Sequence, residues 1–108
     1  MKLSLADGQV SSSASSVYSH FSSSGNTSAT LTSLSLFNTS ATQQTIFLYF
    51  RRFGSTTNRK IRRFVLAQNQ HAQAFSLDDS LVLSPGDELL LETTTASVVD
   101  FVLGGIVE

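Results

Sequence analysis

A chain of 108 residues, 41% apolar and 14% charged, is long enough for one domain with its own core but poor in solvating charge. It has no cysteine, which excludes a disulfide framework and thiolate metal ligands. The net charge of −1 hides a sorting by position. There is no Asp, Glu, Lys or Arg between Asp7 and Arg51; Arg51, Arg52, Arg59, Lys60, Arg62 and Arg63 come together; and Asp78, Asp79, Asp87, Glu88, Glu92, Asp100 and Glu108 follow with no cation among them.

The opening MKLSLADGQV has one Lys and no long apolar stretch, which argues against a secretory signal, and Leu3 and Leu5 alternate with polar neighbours as in a short strand. Residues 10–28 are dominated by serine, with Val17, Tyr18 and Phe21 as the large apolar groups. Such a stretch buries too little to offset its ordering cost. Residues 1–28 are therefore expected to form a flexible Ser-rich N-terminal arm. It is either a linker or a segment that orders on a partner, with Val17, Tyr18 and Phe21 as anchors.

Residues 29–108 read as strands and turns. Leu34 and Leu36 alternate with serines in residues 30–37, and the Asn/Ser/Thr cluster at 38–42 predicts a turn. Residues 45–53 and 60–67 predict a hairpin around the turn at 54–58, with basic residues at its tip and on its return strand. Residues 68–74 fit a helical turn or a loop, and short strands are expected at 75–77 and 81–83. Ser84-Pro85-Gly86-Asp87 predicts a type II turn, because Pro presets φ and Gly admits the positive φ that follows. Residues 88–94 and 98–107 then pair. Leu89-Leu90-Leu91 demands a bulge or burial on both faces, and Gly104-Gly105 marks a bulge or a close backbone approach. No amphipathic helix of ten residues is visible, and no apolar run reaches the roughly 18 residues a membrane helix needs. The expected fold is all-β, a single antiparallel β-sandwich over residues 29–108, with jelly-roll and immunoglobulin-like topologies both open.

No catalytic constellation appears, and neither an enzyme nor a cofactor is expected. His20 and His71 do not make a triad, and Asp78, Asp79, Asp87 and Glu88 match no EF-hand loop. Asn26-Thr27-Ser28 and Asn38-Thr39-Ser40 fit the N-glycosylation pattern as chance matches in a Ser/Thr-rich chain. Six cations on one hairpin invite a nucleic-acid reading, but the slightly negative total disfavours it. A basic edge that faces protein is favoured instead. The candidate protein contacts are Arg51, Arg52, Arg59, Lys60, Arg62 and Arg63 on the hairpin, and Val17, Tyr18 and Phe21 in the arm.

The segments LSLFNTSATQQTIFLYFRR, RKIRRFVLAQNQ and LVLSPGDELLLETTTASVVDFVLGGIVE, in that order, resemble small β-sandwich structural proteins of tailed bacteriophages, of the cement or decoration type. The resemblance implies a virion component assembled in the bacterial host cytoplasm, a capsid cement protein that bridges coat subunits. Its implied partners are the major capsid protein and copies of itself, as a homo-oligomer on the virion, with no membrane or nucleic acid. A tail, neck or fibre-base component is the alternative. A carbohydrate-binding sandwich is a further one, weakened by the lack of Trp and by having Tyr18 and Tyr49 as its two tyrosines.

Overall fold

Alternation of small polar with large apolar side chains governs the middle of the chain, and the computed structural model shows what that alternation builds. Residues 2–20, 28–75 and 80–107 are described. Their strands are β1 (Lys2–Gln9), β2 (Ser15–Ser19), β3 (Ala29–Asn38), β4 (Gln44–Arg51), β5 (Arg59–Leu66), β6 (His71–Gln73), β7 (Leu81–Leu83), β8 (Glu88–Thr93) and β9 (Val99–Val107). Among the described residues there is no helix.

The strands form two antiparallel sheets. In the first, β1, β9 and β3 lie side by side, and β6 and β7 share the far edge of β3. There β7 lies along Ala29–Leu31 and β6 along Ser35–Phe37. The second runs β2, β8, β4, β5, so β8 and β9, expected to pair with each other, lie in different sheets. Apart from the β4–β5 hairpin and the split edge of β6 and β7, each successive strand crosses to the other sheet. Of the two expected topologies this is the jelly roll, since paired neighbours such as β1 with β9 and β2 with β8 are far apart in sequence.

The core lies between the sheets. Leu31, Leu34 and Leu36 of β3, with Phe101 and Leu103 of β9, meet Ile46 and Leu48 of β4 and Leu89 and Leu91 of β8. Each such side chain contributes about 1.5–3 kcal/mol when fully buried. The triple leucine resolves as burial on both faces: Leu89 and Leu91 point inward, and Leu90 points outward yet is 2% exposed. The bulge beside it belongs to β2, between Ser16 and Tyr18.

The division into an arm over 1–28 and a sandwich over 29–108 is not how the strands pair. β1 forms one edge of the first sheet and β2 one edge of the second. A strand ladder is made by the backbone and does not need apolar side chains. The few apolar groups present are enough to seat it: Val10 is buried, and Val17 and Tyr18 pack on the core. Phe21 lies outside the described residues, as do residues 76 and 77 of the short strand expected at 75–77, although Phe75 before them is buried in the core. Residues 68–74, left open between a helical turn and a loop, instead hold a turn at 68–69 and the short strand β6.

The turns behave as their residues demand. Gly86 has φ +91°, and the Asp87 amide donates to the Ser84 carbonyl at 3.0 Å, closing the expected turn. The Asp87 side chain then ties two loops together, accepting from the amides of Phe53 and Ser84 at 3.0 Å each. At the other end of the sandwich, Asn38 and Gln44 do the same for the loops around residues 40, 67 and 95.

Candidate assembly surfaces

The charge blocks meet inside one molecule. Register on the outer face of the second sheet places Arg51 opposite Glu88, Phe47 opposite Glu92 and Tyr49 opposite both Leu90 and Lys60. Arg51 Nη2 lies 2.8 Å from Glu88 Oε1, and the Tyr49 hydroxyl donates to Glu92 Oε1 at 2.8 Å. The Lys60 ammonium sits 3.9 Å from the centre of the Phe47 ring. Hydrogen bonding from Arg51 holds the Glu88 carboxyl below its ordinary range, with Ser16 and Ser19 helping and burial opposing. Burial and Glu92 together raise the Tyr49 phenol. Part of the basic block is thus engaged by the acidic block that follows it in the chain.

That pairing has a pH signature. Glu88 has a depressed pKa in the folded state, so its contribution is present above the unfolded value of 4.5 and is lost as pH falls through the lower folded value. Arg51→Gln should therefore cost up to about 1 kcal/mol at neutral pH and progressively less as pH falls from 4.5 towards 3, as read by urea melts. A deficit that stays constant across that range would discard the pairing as a source of stability.

The sequence-predicted contact residues divide by environment. Arg52, Arg59 and Arg63 are exposed and have no side-chain partner among the described residues; Lys60 is exposed over its ring; Arg62 is half-buried and engaged. Val17 and Tyr18 pack against the protein's own core while remaining partly exposed. At the end of the hairpin, Phe50, Arg52, Ser55, Thr57 and Arg59 line a cleft of about 320 Å³. Beside it Phe53 is 73% exposed, its ring laid over Gly86.

Sequence reasoning missed the outer face of the first sheet. Phe37 (39% exposed), Val102 (51%) and Val82 (56%) stand on it. Phe37 and Val102 border a shallow apolar depression with Ser35, His71 and Asp100. Register puts Asp7 beside Val102 and Gln9 beside Asp100, and Gln9 Nε2 donates to Asp100 Oδ1 at 3.3 Å. The described ion-forming side chains of this depression and its rim are thus acidic, with His71 beside them. Strand direction fixes its position. Asp100 pairs with Phe37 next to Asn38, the end where β4 begins, whereas the basic cleft lies where β4 finishes. The two surfaces occupy different sheets and opposite ends of a molecule measuring 44 × 29 × 21 Å.

Other proposed chemistry finds its groups already committed. Asp87 accepts from two backbone amides and Glu88 pairs with Arg51, while Asp78 and Asp79 lie outside the described residues. Among the described residues no three His, Asp or Glu side chains gather in a way that could hold a metal ion. Asn38 is fully buried with its amide engaged, so the folded chain cannot present it to a glycosylating enzyme.

No protein-family model matches the chain, and no curated protein matches it. Among solved structures it is similar to a protein of the Bacillus endospore appendages, which are disulfide-linked pili. The TM-score is 0.53 at 18% identity, over 99% of this chain and 83% of that one. What they share is a fold. That neighbour is a bacterial pilus protein and not a phage protein, and it overturns the assignment of this chain to a bacteriophage virion as capsid cement or as a tail, neck or fibre-base part. The segments behind the phage resemblance are the strand-turn-strand runs of β3 to β5 and β7 to β9. Any jelly roll needs such runs, so they specify architecture and not a virus.

Proposed function

We propose that this chain is a non-enzymatic structural subunit that assembles with copies of itself into a non-covalent polymer. The observation that carries the reading is the outer face of the first sheet. Phe37, Val82 and Val102 are exposed there although the sandwich already has a closed core, and exposed apolar groups on a sheet face favour being covered. The fold shared with a pilus protein supports the same reading. Without cysteine, the links between subunits cannot be the disulfides of that neighbour, so they rest on apolar burial and charge. No described cluster of ionisable side chains competes with this as a reaction centre.

Sedimentation velocity over a concentration series, with negative-stain electron microscopy at the top of the range, tests it. Oligomers should grow with concentration and respond to salt. A protein that stays monomeric up to about 1 mM, where even a weak contact of about 4 kcal/mol would be half occupied, is not a self-assembling subunit.

A further inference from the structure

We infer that copies join head to tail, the Arg52/Arg59 cleft of one seating on the Asp7/Asp100 face of the next. This rests on the self-assembly proposed above and names its contact. Each surface has one sign of charge around an apolar centre. The cleft sets Arg52 and Arg59 about Phe50, with Phe53 standing out beside it; the opposing face sets Asp7 and Asp100 about Phe37 and Val102. Arg52 and Arg59 have no side-chain partner among the described residues, and Asp7 and Asp100 have no ion-pair partner among them. Joining the two surfaces therefore neutralises charges that the fold leaves exposed and covers the apolar groups between them.

The placement of these charges disfavours a two-fold dimer. A two-fold contact built on one surface alone would bring arginines onto arginines or aspartates onto aspartates, and a reciprocal one would need both surfaces to face the same partner at once. The two surfaces also do not overlap, since they lie on different sheets at opposite ends. A subunit engaged at its basic end still offers its acidic face. Such a contact is heterologous and repeats, closing into a ring or extending as a fibre.

Two charge-reversed variants of the whole chain test it: R52E/R59E and D7K/D100K. All four positions are exposed, so both variants should keep the wild-type circular dichroism and melting temperature. Each alone carries the same sign on both surfaces, and its threshold for assembly should rise by roughly tenfold or more. Mixed in equal amounts, each variant's end faces the other's opposite-signed face, and polymers of alternating composition should return. If the wild type assembles and the variants assemble equally well alone, or if their mixture stays monomeric, the head-to-tail contact is wrong while self-assembly stands. A monomeric wild type removes both.

Discussion

Asn38→Asp should destabilise the subunit by about 3 kcal/mol or more, because a buried amide that donates to carbonyls becomes a group that can only accept. Asn38 is 0% exposed at the end of β3. Its Nδ2 lies 2.8 Å from the Thr42 carbonyl, 3.0 Å from that of Leu66 and 3.1 Å from that of Ala67. Its Oδ1 accepts from the Ser40 amide at 2.9 Å and the Ser40 hydroxyl at 2.8 Å. One side chain therefore joins the loop after β3 to the end of β5. The substitution leaves shape and volume unchanged and reverses polarity at the Nδ2 position alone. An ionised carboxylate would face three carbonyl oxygens, and a protonated one would offer them a single hydrogen.

The pH dependence of that variant follows. A carboxyl in this site takes up a proton more readily when folded than when unfolded, so its folded pKa is raised. The added deficit should be small below the ordinary aspartate value of about 4 and should grow as pH rises through and above it. Urea melts at about pH 3.5 and pH 7, under conditions that keep the protein monomeric, measure both numbers. A deficit below about 1 kcal/mol at neutral pH would show that the loops relax around the site and that the clasp is not structural.

How much of this was readable beforehand depended on the range of the interaction. The turns at 38–42, 54–58 and 84–87 are written in adjacent residues, and the structure has them all. β1 and β2 are written in partners that lie far along the chain. Ser15 pairs with Leu91 and Gln9 with Asp100, so a Ser-rich stretch looks unstructured until its distant template is known. The charge blocks were visible, but their first use was not. Only register brings Arg51 to Glu88 and so separates the engaged cations from Arg52 and Arg59. The exposed apolar face is not legible in the sequence for another reason. Val102 alternates with buried Phe101 and Leu103, and an apolar residue on the outer phase of a strand carries no local mark that distinguishes it from core.

The glycine pair in β9 shows what backbone geometry adds, and it carries the second large effect. Gly105→Ala should cost about 2–4 kcal/mol, since the tightest wall of the overpacked site is backbone, which cannot yield as a side chain can. A Cβ on Gly105 would lie 2.5 Å from the Thr30 carbonyl oxygen, 3.0 Å from Leu5 Cδ1 and 3.3 Å from the Leu31 Cα. Both neighbouring strands already change register here, β1 between Ser4 and Ala6 and β3 between Leu31 and Ser33. Moving the Thr30 carbonyl away would pull on the β3–β9 ladder at the centre of the first sheet. Gly54→Ala separates this mechanism from conformational strain. That turn glycine has φ +80° but nothing within 4 Å of its Cβ position, so its substitution should cost roughly 1 kcal/mol from backbone strain alone. Chemical denaturation of the two variants should rank Gly105→Ala well below Gly54→Ala in stability. The reverse order would mean that β9 does not approach β3 as closely as the ladder requires.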